Sequence, residues 1–319
     1  MSRSQVGRLS GRVTQCGLRR AHVSTGGGHS RRRGLTLLEL VVVLAILAGL
    51  AGILVPLLPN MLRRAHKATD CTQSSELAKA LQMYQASYYS YPDNFDLLTD
   101  GGGNFPNYLP GITSTDNTGG TTPFGGFVTT GTLTSDEVGY LHNAGINNVE
   151  PLASSSYVAA QQALPAGTTS PFHPTRFPYA LPLASNSQPI STSTTFAVLQ
   201  SPATIATLAP DSHLLEAQFA ADAAAGDSTA KYIVFGVGPG SAMVGTVIQD
   251  APMSVPQKKD FTPDNTYSHF GVIFKVDGLE IQRTERARFI CSVALEDDEL
   301  EATEKDAEGY YQVSRVPGQ

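Results

Sequence analysis

The chain has 319 residues, with 22 Lys and Arg against 28 Asp and Glu, 30 Gly and 20 Pro. A chain of that length can bury a sizeable core, its Gly and Pro predict long loops, and a net charge of -6 excludes a generally basic surface for nucleic acid. The charge is unevenly spread: residues 1–34 hold eight arginines and no acid, leaving 14 basic against 28 acidic residues beyond them.

Residues 1–30 are rich in Arg, Ser and Gly, lack apolar periodicity and form a leader outside the fold. Arg31-Arg32-Arg33-Gly34 then precedes an apolar run from Leu35 to Leu58, 24 residues in which only Thr36 and Glu39 are polar. As a helix rising ~1.5 Å per residue, this run is long enough for the ~30 Å hydrocarbon core of a bilayer. The basic leader places the N-terminus in the cytoplasm by the positive-inside rule, with the acidic remainder across the membrane. A cleaved secretory signal would have a shorter apolar core and no internal acid. A plain single-pass anchor fits the length but gives no reason for Glu39, since a carboxylate in hydrocarbon costs on the order of several kcal/mol and calls for a partner.

Gly34 followed by Leu35-Thr36-Leu37-Leu38-Glu39 resembles the cleavage and methylation site of type IV prepilins and type II secretion pseudopilins. The resemblance implies a cut between Gly34 and Leu35 by a membrane-embedded prepilin peptidase, with Leu35 becoming the N-methylated first residue. It makes Glu39 the assembly glutamate and Pro56, 21 residues after Leu35, the proline that kinks the N-terminal helix. The sequence departs from the family pattern at Leu35, where phenylalanine is commoner, and in its long leader. The implied partners are other pilin or pseudopilin subunits, the peptidase, an inner-membrane assembly platform and membrane lipid. Cleavage creates an amine at Leu35 inside the bilayer or a helical bundle. A carboxylate one turn along a neighbouring subunit's helix neutralises that amine, offsets the burial cost of both charges and fixes axial register. Pro56 cannot donate to the Gly52 carbonyl, which predicts a bend.

Met61 to Lys67 adds a basic collar. Leu77, Leu81, Tyr84 and Tyr88 recur at spacings of four, three and four, a stripe expected to pack under a sheet. Tyr91-Pro92-Asp93-Asn94 stops the helix, which if continuous from Leu35 to Ser90 is about 84 Å long. The stretch Leu81–Leu98, with its tyrosine-rich last turn, Tyr91-Pro92 and a short turn bearing Leu97-Leu98, also resembles the end of a pseudopilin helix. In residues 104–230 Gly, Ser, Thr, Pro and Ala dominate and Arg176 is the only basic residue. This segment reads as an irregular insertion decorating the head. Within it, Thr134-Ser135-Asp136-Glu137 is a capping box for a helix ending near Gly145. Asp211 or Ser212 caps a second helix, Leu214–Ala225, closed by Gly226, and Thr195–Leu199 is a strand.

Further on, Lys231–Val237 and Val244–Ile248 are strands split by Gly238-Pro239-Gly240. Gly271–Val276 and Leu279–Gln282 flank Asp277-Gly278, a type I′ hairpin signal, and Arg288–Val293 is a further strand. Glu296 to Glu308 forms a solvated acidic tail. The whole reads as an α+β fold: a long N-terminal α-helix, membrane-spanning in its first half, packed on an antiparallel β-sheet head, pilin-like, with a large insertion. Its segments are a cleaved leader (1–34), the helix (35–91) and a periplasmic head (92–319), with the insertion (104–230), the sheet (231–293) and the tail (294–319) inside the head.

No catalytic residue stands out. Gly236-Val237-Gly238-Pro239-Gly240 lacks the full G-x-G-x-x-G and reads as a turn. The seven histidines show no metal-ligand spacing. Some major pseudopilins bind calcium in the head, and Asp93, Asp96, Asp100 and the tail acids are oxygen donors, but no D-x-D-x-D-G loop is present and solvated acids are the simpler reading. No G-x-S-x-G marks a nucleophile. Arg283, Arg286 and Arg288 form a local basic patch that could touch DNA, with Glu280 and Glu285 arguing for a balanced face. Cys16 falls in the leader; Cys71 and Cys291 are either a disulfide or two separate thiols. The expectation is a structural subunit of a pilus or secretion pseudopilus, not an enzyme, without cofactor and without nucleic acid. The alternatives are a minor tip subunit recognising cargo or DNA, or a membrane-tethered periplasmic enzyme or binding domain.

Overall fold

The computed structural model describes residues 37–54, 58–110, 124–156, 187–208, 216–254, 267–295 and 300–301. They fall into two units, Met1–Pro56 and Leu57–Gln319. In the first unit, α1 (Leu37–Leu54) is apolar on every side, and its large side chains from Leu37 to Leu50 are 48–79% exposed. At 18 residues it is ~27 Å long, and among the described residues no helix is long and apolar enough to cross a membrane. The apolar run seen in the sequence extends beyond α1 at both ends, through residues outside the described set. Pro56, the expected kink, is one of these.

The second unit begins with α2 (Leu58–Tyr88). Its expected stripe is buried at Leu77 and Leu81 and partly at Tyr84, but Tyr88 is exposed. The buried line runs instead from Asp70 and Ser74 to Leu77 and Leu81, so two polar residues carry the helical period backwards. Tyr89, at φ 57°, ends the helix just before the expected Tyr91-Pro92 stop, and Tyr91 N–H donates to the Ala144 carbonyl.

The sheet comprises β1 (Phe95–Asp100), β2 (Val128–Thr132), β3 (Asn148–Leu152), β4 (Gln188–Pro189), β5 (Thr195–Leu199), β6 (Lys231–Gly236), β7 (Gly271–Asp277), β8 (Arg288–Leu295) and β9 (Leu300–Glu301). The order is β4-β3-β1-β6-β7-β8-β9, with β5 also pairing β6 and β2 pairing β5. The pair β1–β3 is parallel and the others are antiparallel, so the sheet is mixed rather than purely antiparallel. Helices α3 (Ser135–Ala144), α4 (Pro202–Leu208), α5 (Glu216–Ala224) and α6 (Leu279–Thr284) connect it.

The sheet is buried on both faces. On one, Ile233 and Phe235 of β6 and Val272, Phe274 and Val276 of β7 meet Leu77 and Leu81 of α2 and Val138 and Leu141 of α3. Phe95, Phe235 and Phe274 lie at its centre, with ring centroids 5.4–5.9 Å apart. On the other face, Tyr232, Val234 and Ile273 meet Leu98, Phe124, Phe127 and Ile205. Two-sided burial is why β6 and β7 read as nearly continuous apolar runs.

Several expectations need correction. Residues 104–230 do not decorate the sheet from outside: β3 pairs β1, β5 pairs β6, and α3 supplies Val138 and Leu141 to the core. The turn expected at Leu97-Leu98 is strand β1, irregular at Leu98, which takes φ 62°. Asp277-Gly278 is not a two-residue hairpin turn. Asp277 Oδ1 accepts from Gly278 N–H and from Gln282 Nε2, and Leu279–Thr284 is helical with Ile281 buried. Apolar residues two apart fit a strand or a short helix; Leu279 N–H donates to the distant Asp227 carboxylate, and the helix ends at Glu285 in the left-handed region. Val244–Ile248 is a tight turn, in which Gly245 N–H donates to the Ile248 carbonyl and Val247 and Ile248 N–H donate back to the Met243 carbonyl. Ala294 and Leu295 belong to β8 and are buried, so the tail begins later than residue 294.

Other elements form where expected, namely β5 at Thr195–Leu199 and α3 behind its capping box. Thr134 Oγ1 accepts from Glu137 N–H, Glu137 Oε2 accepts from Thr134 N–H, and Gly145 ends the helix at φ 99°. The helix closed by Gly226 is described as Glu216–Ala224, and its expected caps Asp211 and Ser212 lie outside the described residues. A Cβ at Gly145 would strike the Ser90 side chain as well as straining the backbone. Gly145→Ala is therefore expected to cost about 2 kcal/mol or more in chemical denaturation of the full chain.

Candidate functional site

Gly34 and Leu35 lie outside the described residues, which begin two positions after Leu35. Glu39 occupies the first turn of α1, where a carboxylate is favoured by the positive end of the helix dipole. Around it stand Leu37, Leu38, Leu40 and Val41, all largely exposed. The segment therefore presents one acid at the head of a helix with apolar side chains facing every direction. Such a helix is unsuited to water and needs lipid or other helices around it.

Residues 29–55 match the prokaryotic N-terminal methylation motif. The chain carries the prepilin-type motif of type IV pilins and pseudopilins. The match covers the basic cluster, Gly34, Leu35, Glu39 and α1 and stops one residue short of Pro56. No curated protein and no solved structure matches the chain. The motif supports a pilin-like or pseudopilin subunit, which implies assembly with other such subunits and processing by the prepilin peptidase.

The remaining residues singled out in the sequence do not converge. Cys71 lies on α2 and Cys291 on β8, both half-buried thiols that form no disulfide in this structure. Ser74 and Ser292, each close by in sequence, join the helix to the strand with Oγ atoms 2.7 Å apart. Cys291 packs with the core on the far side of the sheet, whereas Leu77 and Leu81 of α2 pack on the near side.

Asp93, Asp96 and Asp100 serve three separate local purposes. Asp93 Oδ1 accepts from Asn147 and Asn148 N–H, and Asp100 Oδ1 accepts from Gly102 and Asn104 N–H. Asp96 is buried in the sheet. Among the described residues no group of three or more potential metal ligands gathers. The arginine patch is also divided. Arg288 pairs with Glu280 at 2.6 Å and donates to Gln218, and Arg286 donates to the Tyr89 carbonyl and lies over the Tyr91 ring.

Two buried ionisable clusters were not singled out from the sequence. In the first, Lys275 Nζ lies 2.7 Å from Asp222 Oδ1 and 3.1 Å from Asp227 Oδ2, with the lysine side chain 1% exposed. Tyr232 hydroxyl donates to Asp222, Leu279 N–H donates to Asp227, and the Tyr232 ring lies under the ammonium. Burial would raise the Asp227 carboxyl, but the Lys275 and Leu279 bonds outweigh it and hold the group below its usual range. One sequence signal was available: Lys275 is the lone charge in the apolar run Val272–Val276.

In the second cluster, Asp96 of β1 and Glu150 of β3 are register partners on adjacent parallel strands, both buried. Tyr267 hydroxyl donates to Asp96 Oδ2 at 2.6 Å. Burial pushes Asp96 up to about 7; the Tyr267 bond opposes this and the Glu150 charge adds to it. Burial also raises Glu150. Nothing in the sequence marked this pair, because a parallel pairing across 54 positions leaves no local pattern.

Proposed function

We propose that the protein is a structural subunit of a type IV pilus or type II secretion pseudopilus, cut by a prepilin peptidase between Gly34 and Leu35 and N-methylated on Leu35. It is inserted once in the inner membrane, leader in the cytoplasm and head in the periplasm, and then assembled through its N-terminal helix. Glu39 on one subunit neutralises the Leu35 amine of the next. The single observation that carries this reading is the motif over residues 29–55, supported by an α1 that is apolar all round with one acid in its first turn. An assembled bundle or a bilayer satisfies such a helix, whereas an enzyme tether would not require Glu39. The protein works without cofactor and without catalysis of its own, as a building block.

N-terminal and intact-mass analysis in cells with and without prepilin peptidase tests the reading. The expected product begins at methyl-Leu35 when the peptidase is present and retains the leader when it is absent. An identical start in both cells overturns it.

A further inference from the structure

Gly236-Val237-Gly238-Pro239-Gly240 is not a phosphate loop, yet its alternating glycines have a common cause. A Cβ at Gly236 would strike the Tyr267 hydroxyl, one at Gly238 the Asp96 carboxylate, and one at Gly240 the Glu150 carboxylate. The segment is thus a backbone lid lying directly on two buried acids and a phenol. It leaves the sheet as β6 ends, tied by Val237 N–H to the Phe270 carbonyl, while just beyond it Ala242 N–H donates to the Asp93 carbonyl.

We propose that this cluster is a proton-operated latch: with Asp96 protonated the Gly236–Gly240 lid seats on the pair, and when Asp96 loses its proton to solvent the lid loosens from the sheet. Asp96 and Glu150 stand side by side, 2% and 8% exposed, and among the described residues neither forms an ion pair. The lysines on the described strands are committed elsewhere, Lys231 to Glu137 and Lys275 to Asp222 and Asp227. The other titratable groups facing Asp96 are Tyr267, which donates to it, and Tyr108, whose hydroxyl donates to the Ala153 carbonyl; Asp100 acts on Tyr108. His269, against the Tyr267 ring, is held neutral by burial, which lowers it to about 4. No described group compensates a second negative charge, so ionising both acids sets two like charges against each other beneath the lid.

The sign follows from burial. The folded head holds the Asp96 proton up to about 7, above the usual aspartate value of 3.8. Between those values the folded state binds more protons than the unfolded chain. Stability from this group is therefore complete below the ordinary value and is lost as pH rises through the folded one.

The test uses the full chain in detergent, with infrared detection of a protonated carboxyl and peptide-level hydrogen exchange between about pH 5 and pH 9. The expected result is an acid carbonyl band persisting at about pH 6 and lost above about pH 8, together with roughly tenfold faster exchange over residues 236–242 after correction for intrinsic rates. Asp96→Asn is expected to remove both the band and the pH dependence. Should that variant not fold, Glu150→Gln is expected to shift the wild-type titration downward by removing the like charge. Absence of the band at about pH 6 overturns the proposal, as does a lid whose corrected exchange does not change with pH.

Discussion

Replacing Glu39 by Ala is expected to leave the chain inserted and cleaved before Leu35 but to abolish its assembly into filaments. Insertion depends on the apolar run and the basic leader, and removing an acid from the first turn of α1 makes that run more apolar. Assembly differs because, in the proposed filament, each subunit added brings a new Leu35 amine into the bundle. Breaking one partner of a buried charge pair costs on the order of 3–5 kcal/mol, since it strands the other charge. At about 1.4 kcal/mol per factor of ten, that weakens each subunit addition by roughly two to four orders of magnitude, enough to leave no filament. Immunoblotting of sheared filament fractions against membrane fractions reads the outcome. Processed subunit held in the membrane with no filament is the expected result; filaments at wild-type yield would show that the Leu35 amine needs no partner at residue 39. Glu39→Asp keeps the charge on a shorter arm and is expected to retain partial assembly.

The contrast between the two units shows what the sequence could disclose. The methylation motif over residues 29–55 is legible because its determinants are contiguous: a glycine, a carboxylate, a basic cluster and an apolar run within about thirty residues. The helix behind Thr134 was legible for the same reason, its capping box and Gly145 being local signals. The Leu279–Thr284 helix was misread because four residues with apolar positions two apart satisfy either period, and the deciding bond, Leu279 N–H to Asp227, comes from a residue 52 positions away. The role of residues 104–230 was hidden similarly. Their small polar composition resembles a loop, but the strands within them are short and one, β3, pairs in parallel across a long crossover. Buried polar residues were least legible. Asp96 and Glu150 look like surface charges until register brings them under the lid, and Lys275 shows only as a lone charge in an apolar run, its partners Asp222 and Asp227 being supplied by topology.

Lys275→Met should be the most destabilising single change in the head. Met fills much of the lysine stem's volume, so the packing of β7 is little altered, and what disappears is the ammonium between Asp222 and Asp227. Asp222 on α5 then keeps its Tyr232 bond and Asp227 its Leu279 bond, but neither has a cation, a loss of about 3–5 kcal/mol at neutral pH. Equilibrium denaturation of the full chain measures it. The pH dependence supplies a second check. In the wild type Asp227 is held below its ordinary value, so its contribution is present above that value and disappears as pH falls through the depressed folded one. Without Lys275 the Asp227 carboxyl loses the cation that favours its ionised form, and the variant's deficit should narrow as the solution is acidified towards pH ~4. Adding Asp222→Asn and Asp227→Asn to Lys275→Met removes the stranded charges and should recover more than half of the loss, because an ion pair and an uncharged replacement are often close in stability while a broken pair is not. A cost below about 1 kcal/mol for Lys275→Met, unchanged on acidification, would mean that water reaches the two aspartates and that the cluster is not a buried one.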